Sequence, residues 1–568
     1  TQNITQVVTG YTNTAGASTT LTRVRYGYDA SNRLSTVTVD LSPGDNAITD
    51  GATYVTTYSY DASGRVSNIA QSDGSNLAIA YDGSGRVSTL TETPSSGVTR
   101  ITSLTYGTGY TTITDPTGQV TRLDYDAGNK LTKITAPPAY TGAAQQIVQF
   151  AYNANDDVTA VTDALGKVTS YTNFTSNGLA QTVTDMLGNT VTRTFDAKNN
   201  KLSETISGVD QSGSTVTETT RYVYDSAGNL RFAISAEGRV QEWIYSQGTV
   251  TRHYSYTDDT YTTAGTPSEA NMTAWKAGLS DASRVAGDYY QYDARQNLSL
   301  TSRFGMDNAN GSWSTSDGRD DNYTVYNQAG QLLSTVNGGG TGSTSYTYDG
   351  MGRVTAATDI NGGTTTYAFN DAATTTTVTL ASGYVVTRTY NKSGDLLSVT
   401  DSGANTTGGT ASYAYDKLGR VRVATDASGL KTYTIYDSAG RHVGDVDNDG
   451  DLVEYRYDAD NRLVGTVQYH VQISAANLSA LGAEATWGVS LASIRPAASS
   501  QDTASWVVYD SEGRVLETIA GDGSATVSTY DASGRLQQTT AYYNKITAAT
   551  VAGYITGSAP SAVVTPSD

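Results

Sequence analysis

The sequence predicts an all-β chain: one antiparallel sheet that meanders through a single repeat array, recognisable from about residue 20 to residue 568. Three observations predict it. A Tyr-Asp signature returns every 21 residues, at Tyr60 and Tyr81, at Tyr415, Tyr436 and Tyr457, and again at Tyr509 and Tyr530. Each period carries two turn signals, which leaves room for two strands. The composition sets 41 Tyr and 57 Gly against only 6 Phe, so tyrosine does the packing that Leu and Phe do in most proteins. Self-similarity over most of the chain makes one array of residues 1–568 more economical than the three or four domains its length would otherwise suggest.

The first turn is the signature itself. Its fullest copies read Y-x-Y-D-x-x-G-R-[LV], as in Tyr58, Tyr60, Asp61, Gly64, Arg65 and Val66. The core of that pattern recurs at Tyr81, Asp82, Gly85 and Arg86, and at Tyr348, Asp349, Gly352 and Arg353. It returns at Tyr415, Asp416, Gly419 and Arg420, then at Tyr436, Asp437, Gly440 and Arg441. Two late copies are Tyr509, Asp510, Gly513 and Arg514, and Tyr530, Asp531, Gly534 and Arg535, and Tyr457 with Asp458 opens a further one. Softer letters hold the same beat at Phe174, Phe195, Tyr224, Tyr245, Phe369 and Tyr390. An Asp opening a turn hydrogen-bonds the backbone two residues on, the middle residues suit a type I turn, and Gly supplies the left-handed position that closes the hairpin loop.

A second turn falls halfway between signatures, with Asp163 before Gly166, Asp185 before Gly188, Asp359 before Gly362, Asp426 before Gly429 and Asp447 before Gly450. The segments between turns, such as 65–69 and 421–425, alternate branched or aromatic residues with Ser, Thr and Asn, the pattern of a half-buried strand. Tyrosines two apart, as at Tyr346 and Tyr348 or Tyr413 and Tyr415, project from one face and make that face aromatic. Twenty periods of two strands at about 4.8 Å spacing give on the order of 190 Å of ribbon, roughly one circuit of a cylinder about 60 Å across.

Two stretches interrupt the beat. Residues 262–285 place Met272, Trp275 and Leu279 at helical spacing after a polar start, and residues 472–500 do the same with Leu478, Leu481 and Trp487. Both read as helical insertions that pack on the sheet or plug its interior. The Gly-rich run 337–343 reads as a flexible hairpin tip, and 540–568 as a degenerate tail.

Composition excludes several classes of function. The chain has no Cys, so disulfides, thiol nucleophiles and thiolate metal sites are absent. A net charge of −19 repels polyphosphates, which argues against nucleic acid as a partner. No apolar run is long enough to span a bilayer, and the start at Thr1 without a leader reads as a piece of a longer parent chain. His253, His442 and His470 are too scattered for a metal helix, and neither a nucleophile elbow nor a phosphate loop occurs. Asp445, Asp447, Asp449, Gly450 and Asp451 imitate half a calcium loop, yet its twelfth position is Arg456 and Glu454 comes two places early, so a plain acidic turn is the expectation. Paired acids such as Asp258 with Asp259 and Asp320 with Asp321 arise by default where Asp opens nearly every turn, and no glycosidase pair, other catalytic residue, cofactor or metal is assigned.

These residues resemble the YD-repeat or rearrangement-hot-spot (Rhs) family, which includes shells of bacterial polymorphic toxins, encapsulating components of insecticidal toxin complexes, and teneurins. The resemblance rests on the Tyr-Asp-x-x-Gly-Arg beat over most of the chain. It implies a β-ribbon spiralling into a hollow or open shell, β-solenoid-like, with tyrosines lining or packing its wall. It also implies a non-enzymatic shell segment that encapsulates or scaffolds a polypeptide cargo, a toxin effector in cis or on a partner chain, in a secreted or cell-surface bacterial protein. An extracellular adhesion or display scaffold for a surface glycan or protein ligand is the alternative. Family shells end in a self-cleaving aspartic segment and a D-P-x-G junction. Here the single D-P-x-G lies at residues 115–118, an ordinary turn position, and nothing like it follows Tyr530.

Overall fold

The computed structural model describes residues 3–12, 15–140, 143–209, 214–279, 285–307, 320–338, 342–403, 408–483, 489–510, 512–531, 534–557 and 559–564, with the backbone alone at 209, 257–258 and 304–307. Among these residues 41 strands, numbered along the chain from β1 (Gln6–Thr12) to β41 (Leu536–Ala541), form one sheet. Each strand pairs antiparallel with its successor, β1 with β2 (Ser18–Tyr28) and so on to β40 (Ala525–Tyr530) with β41. The sheet is a pure meander whose two end strands each have one neighbour. It is also asymmetric in cross-section: in β4 (Thr53–Tyr60), Tyr58 and Tyr60 are half-buried while Thr57 and Ser59 are exposed, the period-2 pattern of a ribbon with one protected face.

Each signature bends the ribbon in the same way. The register between β4 and β5 (Val66–Gln71) slips between Ser59 and Tyr60, so Tyr60 faces Val66 across a bulge. The same slip recurs at Tyr81, Tyr348, Tyr415, Tyr436, Tyr457, Tyr509 and Tyr530. Bulges increase local twist, and a bulge at every period coils the ribbon steadily.

That coiling is tighter than the sequence estimate of one broad circuit. Hydrogen bonds join residues 295 to 323 positions apart. The N–H of Gly350 donates to the Leu41 carbonyl at 3.1 Å, that of Lys392 to Pro94 at 2.9 Å and that of Ser438 to Ala139 at 3.1 Å. Further along, the Gln146 side chain donates to the Ala459 carbonyl at 3.0 Å, Asn189 to Glu512 at 2.8 Å, and Arg535 pairs with Glu218. The ribbon therefore returns to itself, and the chain makes nearly two stacked windings. The contacts span roughly 23 strands, which at about 4.8 Å each make a ring of roughly 110 Å, about 35 Å across. The earlier figure took the ribbon as an untwisted band, whereas sheets coil.

Most of the wall is a single half-buried layer, and two dense cores lie where helices cover it. One gathers Phe232, Ile234, Val240, Tyr254 and Tyr256 beneath Met272 of α1 (Glu269–Ala277), with Trp275 and Leu279 packed alongside. The other joins Ile435, Val446, Leu452, Val467, Trp506 and Ile519 to Leu481 of α2 (Ala475–Leu481) and to Leu491 and Ile494 of α3 (Leu491–Ile494). Val551 and Ile555 of α4 (Ala548–Thr556) complete it. The stretch read as a degenerate tail thus holds a fourth helix, capped by Thr547, whose side chain accepts from the Thr550 N–H. Trp487 and residues 339–341 of the Gly-rich run lie outside the described residues.

Candidate functional site: the repeat turns and the clamps over them

The signature turns share one geometry. At Asp61 the backbone N–H donates to the Arg65 carbonyl at 2.8 Å, and the Gly64 N–H returns to the Asp61 carbonyl at 3.0 Å. Oδ1 of Asp61 accepts from the N–H groups of Ser63 and Arg65, both at 2.9 Å, while Oδ2 accepts from Arg65 Nε at 2.8 Å. The Asp and Arg of the turns opened by Asp82, Asp349, Asp416, Asp437, Asp458, Asp510 and Asp531 make the same Nε contact at 2.6 to 2.9 Å. Gly64, Gly85, Gly352, Gly419, Gly440, Gly513 and Gly534 sit at φ between 75° and 87°, the left-handed region. In the Asp458 turn Asn461 takes that place at φ 63°.

The arginine then reaches the next repeat. The Arg65 guanidinium lies 4.2 Å from the centre of the Tyr81 ring, and Tyr81 donates its hydroxyl to the Val66 carbonyl at 2.7 Å. Arg86 over Tyr106 and Arg514 over Tyr530 repeat the stack, at 4.1 and 5.0 Å. Tyr60, Tyr348, Tyr415, Tyr457, Tyr509 and Tyr530 each donate to the carbonyl of the strand residue that follows the preceding turn, as Tyr60 does to Leu34 at 2.6 Å. Asp orients Arg, Arg covers the next Tyr, and Tyr returns a bond to the strand Arg begins, so the signature is a lateral interlock between repeats. The sequence reading gave Arg no role and passed over one whole copy. Asp29 and Arg33 form the same pair, with Nε at 2.8 Å, and Arg33 stacks 4.3 Å from the Tyr60 ring. The missed signal was Asn32 in the glycine place, at φ 64°.

Sequence reasoning also missed buried glutamates beneath the helices. Glu242, fully buried in β20 (Arg239–Ser246), accepts from Tyr256, from Lys276 of α1 at 3.0 Å and from Arg231 at 2.8 Å. Glu454, 3% exposed in β36 (Leu452–Tyr457), accepts from Tyr469 at 2.6 Å, from Arg456 at 2.9 Å and from Arg495, just past α3, at 2.8 Å. Burial opposes the Glu454 charge, but Arg495 and Arg456 outweigh it and hold the carboxyl below its ordinary value. The Tyr469 hydroxyl is pushed up to about 12 by burial and by that carboxylate. Arg456 also donates to the Tyr554 and Ile555 carbonyls at the end of α4, the favoured place for a cation. These networks pin the helical excursions to the wall.

The remaining candidates are plain turns. Asp445 is held by His442 at 2.8 Å and Tyr455 at 3.1 Å, and Asp447 accepts from the N–H groups of Asp449, Gly450 and Asp451. No group of three or more His, Asp or Glu suited to a metal ion occurs among the described residues. Asp115 accepts from the Gly118 N–H within its own chain turn, as every second turn does. Between the two windings a cleft of about 1570 Å³ opens, lined by Val98, Asp115 and Gln119 on one side and by Arg420, Arg441 and Leu491 on the other.

Residues 292–474 match the family model described as Teneurin YD-shell, and residues 110–137 match the RHS Repeat model. Over those two stretches the chain is similar to YD-repeat shells of the Rhs type. No curated protein matches it significantly in sequence. Among solved structures, TcdB2-TccC3 without its hypervariable C-terminal region superposes with a TM-score of 0.53 at 12% identity, over 95% of this chain and 32% of that one. TcdB2-TccC3 itself gives 0.53 at 13% over 95% and 33%, and TcdB2-TccC3-Cdc42 gives 0.51 at 14% over 94% and 32%. At these identities the likeness is one of fold, and this chain spans about a third of the length of the structures it matches.

Proposed function

We propose that this YD-repeat chain is a non-enzymatic shell segment whose wall wraps and sequesters a polypeptide, a toxin effector carried in cis or on a partner chain, within a secreted or cell-surface bacterial protein. The observation that carries the reading is the seam. A ribbon that meets itself after 295 to 323 residues surrounds an interior, which a flat display sheet does not. The mechanism is steric: a continuous hydrogen-bonded wall keeps proteases and the producing cell's own targets away from what it encloses. The interlock suits that task, since tyrosine hydroxyls are spent on wall carbonyls and the strand faces carry mostly Thr, Ser and half-buried rings, with little apolar area for cargo to adhere to. The likeness to TcdB2-TccC3 supports the same architecture. Among the described residues no helix is long and apolar enough to cross a membrane. Electron microscopy of the purified full-length protein tests the reading. A hollow particle with internal density is the expected result, and an extended rod without a cavity would remove encapsulation and leave only the repeat fold.

A further inference from the structure

A third buried glutamate departs from the pattern of the other two. Glu517, in β39 (Val515–Ala520), has no exposed surface and lies beneath the segment that follows α4, as Glu242 and Glu454 lie beneath α1 and α3. Those two carboxylates each receive two cations and a tyrosine hydroxyl. Glu517 receives one backbone N–H: Val564 donates to Oε2 at 2.9 Å, and Oε1 is buried with no hydrogen-bond partner among the described residues. No Lys or Arg occurs in α4, and Lys545 just before it is taken by Asp522.

The surroundings offer little else. The residues opposite Glu517 on its neighbouring strands are Val508 in β38 (Thr503–Tyr509) and Val527 in β40. Among the described residues, the Tyr554 phenol of α4 is the titratable group that faces it, raised by burial and by the Glu517 charge. Arg456 packs 5.4 Å from the Trp506 ring but is committed to Glu454 and to the α4 carbonyls. An ionised carboxylate buried with a single donor is strongly disfavoured, so the closed arrangement suits the protonated acid. Of the parts that enclose it, β39 is laddered on both sides, whereas residues 559–564 reach it through one N–H. When the proton leaves, the segment is what yields.

We infer that residues 559–564 form an acid-closed latch over Glu517, docked while the carboxyl keeps its proton and released to solvent once the proton is lost. The sign follows from linkage. Burial raises the carboxyl above its ordinary value, so docking is fully favoured below the unfolded value and is lost as pH rises through the folded one. Loss of the latch would uncover the strip of the larger core on which Ala559 and Val564 pack.

Hydrogen exchange of the whole protein, followed by mass spectrometry in the peptide containing Val564 and corrected for intrinsic rates, tests this. Protection there should fall about tenfold or more between pH 5 and pH 8. In Glu517→Gln, neutral at every pH, protection should be the same at both. Equal protection of the wild-type peptide at the two pH values overturns the latch, whether or not the variant folds. An equal fall in Glu517→Gln overturns it too, because the titrating group would then lie elsewhere.

Discussion

A glycine at φ near +80° is held there by its turn, and any β-branched replacement brings strain of about 1 to 3 kcal/mol. Gly64 and Gly419 share that conformation but not their surroundings. A Cβ at Gly64 would approach only Arg33 Nη1, at 3.5 Å, whereas at Gly419 it would lie 3.2 Å from Asp395 and 3.3 Å from Arg100, the ion pair that ties the windings. Gly64→Val should therefore cost about 1 to 3 kcal/mol in denaturant melts, and Gly419→Val visibly more. Equal losses would show that the seam tolerates the added carbon. The turn aspartates add a pH dependence of their own. The Arg65 backbone N–H, and behind it the Arg65 side chain, holds the Asp61 carboxyl below its ordinary value, and Arg86 does the same for Asp82. Stability from such groups is present above the unfolded value and lost as pH falls through the folded one, so the melting temperature should drop steeply below about pH 4. The roles of Asp and Gly were legible in the sequence because both act within five residues. That of Arg was not, because its ring contact, Arg65 on Tyr81, crosses from one repeat to the next.

At the scale of elements, the helices are ordinary in composition and owe their place to buried charge. Their existence over 269–277 and 475–481 follows from apolar spacing and from caps at Ser268 and Ser474, all readable along the chain. The glutamates beneath them are not readable, because Glu242 and Glu454 sit in strands where the two-residue alternation would equally suit an exposed acid. Only the arrival of Lys276 and Arg495 from the insertions makes them interior groups. The helix α4 was missed for a related reason. Its sequence, Ala-Ala-Thr-Val-Ala-Gly-Tyr-Ile-Thr, carries Thr, Val and Gly, weak helix formers, and tertiary packing of Val551 and Ile555 decides the outcome. Removing one partner of a buried charge network leaves the others uncompensated, so Glu454→Ala should destabilise by about 3 to 5 kcal/mol in chemical denaturation. Glu454→Gln, which keeps part of the hydrogen bonding, should lose less. If both variants lose the same amount, the charge is not what anchors the helices.

Across the whole molecule the repeat period was legible and the winding number was not. Strand count follows from turn residues, but the radius depends on how much each bulge at Tyr60, Tyr81 and their counterparts coils the sheet, a three-dimensional quantity that no spacing records. The seam inherits this: the contacts between Leu41 and Gly350 or Pro94 and Lys392 exist only because the radius brings those turns together. One seam contact sets acid against acid. Asn189 donates to Glu512 Oε1 at 2.8 Å, and the Glu512 carboxyl is raised above its ordinary value by burial and by Asp185, which lies against it. A raised acid stabilises the joined windings at low pH and ceases to do so as pH rises through its folded value. Glu512→Gln keeps an acceptor for Asn189 and offers an amide donor to Asp185 without needing a proton. The variant should therefore melt above the wild type at pH 8 and level with it at pH 5, and a gap that does not change with pH would mean that the two carboxyl groups do not share a proton across the seam.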